Sequence, residues 1–100
     1  MKTYKFYEDS GHGWLKVTFN ELLALGIADQ ISHYSYIKPS KDGQTLNCYL
    51  EEDCDYSVFE RAMQSRGIQW KVKSYRTERS AIRNYDSYPR LIKTISTQGA

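Results

Sequence analysis

The sequence predicts a single α+β domain in the order ββαββαβ, a mostly antiparallel sheet with two helices on one face. Three observations carry this. Apolar and polar residues alternate in short runs at both ends and in the middle of the chain, the period of half-buried strands. Two intervening segments carry apolar residues at helical spacing, and each ends on a glycine followed by an isoleucine. The length of 100 residues, with 40% hydrophobic and 26% charged, supports one core and excludes collagen-like, low-complexity and wholly disordered chains.

The elements follow in order. Thr3 to Glu8 alternates, with Tyr4 and Phe6 on one face and Lys5 and Tyr7 on the other. Asp9-Ser10-Gly11-His12-Gly13 breaks the strand, its two glycines supplying positive φ for a tight connection, and Trp14 to Val17 resumes as the second strand of a hairpin. Thr18 is placed as a helix N-cap, with Glu21 completing a capping box ahead of Leu22 and Leu23. Gly26 closes that short helix, which sets Ile27 against Leu22 in a Schellman ending. His33 to Lys38 and Thr45 to Glu51 form a second hairpin about the turn residues Pro39 to Gln44. In its second strand Leu46, Cys48 and Leu50 face the core. Tyr56 to Arg66 is the second helix, with Phe59, Ala62 and Met63 inward and Gly67 as its stop. Ile68, Trp70 and Val72 then alternate with Gln69, Lys71 and Lys73 as the last strand. Residues 77 to 88 carry only Ala81 and Ile82 as apolar anchors and read as a loop, a frayed strand or a short helix. The domain spans 1–88, and 89–100 reads as a flexible tail.

The longest apolar run, Leu22 to Leu25, is far below the roughly 18 residues of a membrane span. Met1-Lys2-Thr3 leads into aromatic and acidic residues with no apolar stretch of a secretion signal, so the expected setting is the cytoplasm, with no membrane partner. Cys48 and Cys54 are too few for a disulfide scaffold, and His12 and His33 stand too far from them for a zinc finger. No metal or other cofactor is expected.

Composition is unusual in two respects. There are nine tyrosines against three phenylalanines. The net charge of +2 conceals a split: residues 1 to 65 carry six basic and ten acidic side chains, residues 66 to 100 eight basic and two acidic. That split excludes a uniformly acidic nucleic-acid mimic and points to a basic patch from the last third.

Arg76, Arg79, Arg83 and Tyr85, with Lys71 and Lys73 before them, form the leading contact set. Arginine forks match phosphates and carboxylates, while tyrosines stack on bases or anchor protein interfaces. Glu51, Glu52 and Asp53 form a second, acidic patch just ahead of a helix, where carboxylates also serve as caps, with Asp53 or Asp55 as the cap itself. His12 has no neighbouring Ser or Cys in triad order, so it reads as a turn residue and the chain as a non-enzyme. No RRM, KH or helix-turn-helix pattern is present. Tyrosines fall on both faces of some strands, so one sheet face is expected to show aromatics to a partner.

The motifs Tyr4-x-Phe6-Tyr7-x-Asp9-x-Gly11-His12-Gly13-Trp14-Leu15-x-Val17, Leu25-Gly26-Ile27-Ala28, Tyr34-Ser35-Tyr36, Tyr49 to Asp55 and Ile82-Arg83-Asn84-Tyr85 resemble those of small uncharacterised proteins of phages, prophages and plasmids. The resemblance implies an accessory protein of the bacterial cytoplasm. Its leading functional expectation is an anti-defence inhibitor, similar to anti-CRISPRs, that binds a host protein or nucleoprotein complex such as a CRISPR effector. The alternative is a nucleic-acid-binding accessory protein that uses the basic, tyrosine-bearing last third.

Overall fold

A computed structural model describes residues 1–89. The expected tail from 90 on lies outside the described residues. The strands are β1 (Lys2–Glu8), β2 (Gly13–Thr18), β3 (Tyr36–Pro39), β4 (Leu46–Glu51), β5 (Trp70–Arg76) and β6 (Asp86–Ser87). Helix α1 (Phe19–Ala24) follows β2, and helix α2 (Tyr56–Ser65) joins β4 to β5. Short 3₁₀ turns occupy Ala28–Gln30 and Ala81–Asn84. The strands form one sheet in the order β5-β1-β2-β4-β3-β6. All pairings are antiparallel except β1 with β5, which is parallel, as a strand delivered by a helical crossover can be. The α+β class is therefore as the sequence predicts, with a parallel edge and a short sixth strand added.

Both helix ends follow their local chemistry. The Thr18 hydroxyl accepts from Glu21 N–H, and the Glu21 carboxylate accepts from Thr18 N–H, closing the capping box. Gly26 and Gly67 take φ of 71° and 66°, and Ile27 and Ile68 N–H donate to the Leu22 and Met63 carbonyls, a Schellman ending in each case. The two isoleucines differ in environment: Ile27 is buried, whereas Ile68 leads into the edge strand and is exposed.

The main core lies between the sheet and the two helices. Leu15, Val17, Cys48 and Leu50 meet Leu22, Phe59 and Met63, and Tyr4 packs edge-on against Phe59 and Trp70. Tyr88 closes the far end, fully buried, its hydroxyl donating to the Ala28 carbonyl.

Three local expectations change. Gly11 and Gly13 do not take positive φ. A Cβ on Gly13 would instead stand 2.3 Å from the Phe6 ring, so that position needs a missing side chain rather than a left-handed backbone. His33 to Ser35 is a turn rather than strand, because Asp55 accepts from Ser32 N–H and from the Ser32 and Ser35 hydroxyls. Asp55 occupies the N-cap position of α2 without a side-chain capping bond, its carboxylate being committed to that turn. Among the described residues no helix is long and apolar enough to cross a membrane.

Candidate functional site

The sheet face opposite the helices carries the outward members of each strand. Register fixes one row across all six: Lys73, Lys5, Lys16, Tyr49, Tyr36 and Ser87. A second row reads Tyr75, Tyr7, Trp14 and Glu51. One half of this face is covered. The 3₁₀ turn at Ala81–Asn84 lays Ile82 on Trp14 and Tyr49, and Tyr7, Tyr36 and Tyr85 pack around this second, smaller core. The expectation of tyrosines displayed on one face is thus met only in part: Tyr49 is buried beneath this cover, while Tyr75 and Tyr34 are exposed.

The cover is held by a charged clamp. The Arg83 guanidinium donates from Nε and Nη2 to the Asp9 carboxylate at 2.6 and 2.7 Å. Asp9 also accepts from Gly11, His12 and Ser80 N–H, so the turn between β1 and β2 and the segment over the face share one anchor. Arg83 beside it, helped by those N–H groups, holds the Asp9 carboxyl well below the usual carboxylate range.

The other half is open. Four tyrosine rings run in sequence from it to beneath the cover, with centroids 5.5 Å apart for Tyr75 and Tyr7, 6.3 Å for Tyr7 and Tyr49, and 5.2 Å for Tyr49 and Tyr85. Lysines sit at both ends of this ribbon. Lys73 and Lys5 approach the Tyr75 ring at 5.5 and 6.0 Å, and Lys38 approaches Tyr85 at 4.9 Å. Lys5 faces Lys16 on one side and Lys73 on the other. None of the three has a carboxylate partner within 4 Å among the described residues. Like charges placed directly opposite on neighbouring strands repel.

The predicted contact residues therefore separate. Lys71 and Lys73 lie on the open face, since they alternate in step with Tyr75 on β5. Arg76 falls on the other side of the sheet, 3.9 Å from Glu8, and Arg79 is exposed in the loop beyond β5. Arg83 is the clamp, and Tyr85 is half-buried on Tyr49. Lys5, Lys16 and Tyr7 complete the basic-aromatic surface although they sit in the acidic part of the chain. The signal for them was the β1–β2 alternation, which turns Lys5, Tyr7 and Lys16 outward together.

A second feature lies at the end of the face beside the clamp. His12, Trp14, Tyr34, Tyr36, Glu51, Asp53, Cys54 and Arg83 line a cleft of about 360 Å³. Glu51 is largely buried, and its carboxylate accepts from Asp53 and Cys54 N–H, each at 2.9 Å, holding the turn before α2. His12 Nδ1 stands 3.8 Å from it. Glu52 and Asp53 are exposed, and partial burial with the charges of Asp53 and Glu51 pushes the Glu52 carboxyl up. Burial and the Glu51 carboxylate likewise push the Cys54 thiol up, opposite to the activation a nucleophilic thiolate needs. Among the described residues no group of three or more His, Cys, Asp or Glu side chains is placed to hold a metal.

No protein-family model matches the chain, nor does any curated protein or solved structure.

Proposed function

We propose that the protein is a non-catalytic binding module that holds single-stranded nucleic acid on the open half of its sheet. The observation that supports this best is the row Lys73, Lys5 and Lys16, three ammonium groups on adjacent strands beside the stacked Tyr7 and Tyr75. Strands lie about 4.8 Å apart, so the row presents its charges over a span that a phosphate backbone can follow. Folding gains nothing from that crowding, and a polyanion relieves it. Exposed tyrosines offer base-stacking platforms of the kind that sequence-tolerant single-strand binders use. Residues 90–100 add Arg90 and Lys93 and no carboxylate side chain to the same part of the chain.

Fluorescence anisotropy with labelled dT20, rU20 and a DNA duplex, from about 50 to 200 mM salt, tests the reading. With three to five lysines on phosphates, single-strand affinity falls roughly 20- to 130-fold over that range, because each contact contributes about −0.7 to the log–log slope. Absence of binding to all three probes at the low-salt end refutes it.

A second reading is an inhibitor of a host defence complex, a CRISPR effector among them, acting by protein contact in the bacterial cytoplasm. It is favoured by strand β5, an edge of the sheet on which Val72 and Tyr75 are exposed, with exposed Ile68 just before it, a feature a partner protein can extend by strand addition. The resemblance to phage, prophage and plasmid proteins agrees with it. Phage-challenge assays in hosts with defined defence systems test it, and relief of none of them counts against it.

A further inference from the structure

We propose that the cleft between the β1–β2 turn and the start of α2 receives the side chain of an arginine carried by a partner protein, a function separate from the lysine face. The walls supply both halves of the recognition. Trp14, Tyr34 and Tyr36 are aromatic, and Glu51 and Asp53 bring two carboxylates to the same space. Among the described residues Arg83 is the only arginine in the wall, and Asp9 already neutralises it through two hydrogen bonds, so it leaves the carboxylates uncompensated; the other basic group there is His12, whose Nδ1 stands 3.8 Å from Glu51. Glu52 beside them adds to the negative field.

An independent observation points to an occupant. Trp14 is 2% exposed, and its indole N–H has no hydrogen-bond acceptor among the described residues. Buried donors of this kind are rarely left unpaired. A cation alone does not answer that donor, because guanidinium and ammonium groups carry no acceptor. An arginine within a polypeptide carries both groups: its guanidinium meets the carboxylates and tyrosine rings, and its own peptide carbonyl is the acceptor the indole lacks, reached by a displacement of the Trp14 ring because its nitrogen is sealed from solvent. Guanidinium is favoured over ammonium because it is planar, weakly hydrated and able to stack on a ring while forking onto a carboxylate. The volume of about 360 Å³ suits one long side chain with its flanking peptide groups rather than a helix. A nucleotide is disfavoured, since its phosphate would approach Glu51, Glu52 and Asp53.

The test follows the Trp14 indole N–H by two-dimensional ¹⁵N–¹H NMR, assigned with Trp70→Phe, while N-acetyl-arginine N-methylamide is titrated in. Its lysine and citrulline counterparts and GMP serve as the other arms. The expected result is a saturable shift of the Trp14 resonance with the arginine amide and about tenfold weaker binding of citrulline, which keeps the shape and loses the charge. Asp53→Asn, at an exposed position, is expected to weaken arginine binding about three- to tenfold while leaving dT20 affinity unreduced. An unmoved Trp14 resonance at tens of millimolar arginine amide, equal binding of citrulline, or a larger response to GMP overturns the proposal, and none of these outcomes depends on whether the lysine face binds nucleic acid.

Discussion

Lys5 is the centre of the lysine row, and replacing it with glutamate separates stability from binding. In the native sheet it opposes Lys16 across an antiparallel pair and Lys73 across a parallel one. Lys5→Glu turns two repulsive pairs into two attractive ones. Cross-strand charge pairs are worth roughly 0.2–1 kcal/mol, and the low end applies because Lys5 and Lys73 are exposed. Two pairs that each change sign give about 1 kcal/mol, from which loss of the Lys5 approach to the Tyr75 ring subtracts about 0.5 kcal/mol or less. The net gain of about 0.5–1 kcal/mol raises Tm by roughly 2–8 °C in a domain of this size. Thermal unfolding followed by circular dichroism at 10 and 500 mM NaCl measures it. The gain is expected at low salt, where the screening length is about 30 Å, and should largely vanish at high salt, where it shrinks to a few Å. The same substitution weakens dT20 binding at about 50 mM salt by on the order of tenfold, through one lost counterion-releasing contact and one added repulsion. A Tm that falls, or that rises equally at both salts, refutes the claim that the row is electrostatically strained. Unchanged dT20 affinity refutes its role in binding.

Three further outcomes follow. Gly13→Ala places a Cβ 2.3 Å from the Phe6 ring and 3.0 Å from a Glu52 oxygen, so it should lower Tm on the order of 10 °C by overpacking. Asp9→Asn should destabilise the protein at neutral pH; because the native Asp9 carboxyl is held below its unfolded value of about 3.9, its contribution is present above that pH and lost on acidification, so the stability gap between wild type and variant narrows from about pH 5 downward. Acid unfolding curves that stay parallel over that range would count against the clamp. Of the two thiols, Cys54 should label with iodoacetamide in the native state and Cys48 only on unfolding, because Cys48 is fully buried and burial pushes its thiol up to about 12; mass spectrometry of the labelled peptides distinguishes them.

Much of the fold was legible because it rests on local chemistry. The Thr18–Glu21 box, the two glycine endings and the alternation of Leu46, Cys48 and Leu50 each depend on residues within a few positions of one another. What escaped depends on distant partners. Nothing near Asp55 in sequence indicates that it will serve Ser32 and Ser35 in place of its own helix, and nothing near Arg83 indicates Asp9, which lies 74 positions away. The segment at 77–88 looked patternless for the same reason: Ile82 and Tyr85 fit a surface made by Trp14 and Tyr49 rather than a repeat of their own.

The candidate surface was misplaced by the same cause. Charge counted along the chain assigns the basic character to the last third, yet a parallel β5 brings Lys71 and Lys73 beside β1, where Thr3 and Lys5 are their partners. The hairpin then adds Lys16 from β2. Lys73, Lys5 and Lys16, drawn from both sides of the charge split, thus become neighbours, while Arg76, two residues beyond Ser74 on β5, shares its side of the sheet with Glu8 and leaves the set. A surface built in this way depends on the β1–β5 pairing. Binding to the face should therefore require an intact edge strand. Thr77 N–H donates to the Glu8 carbonyl, so by alternation it is Lys71, Lys73 and Tyr75 whose N–H groups face β1; a Lys71→Pro substitution, which removes such a ladder donor, should reduce dT20 affinity more than Lys71→Ala, which removes the same charge. Equal affinity of the two variants, with both folded by circular dichroism, would show that the basic character resides in the segment rather than in the sheet.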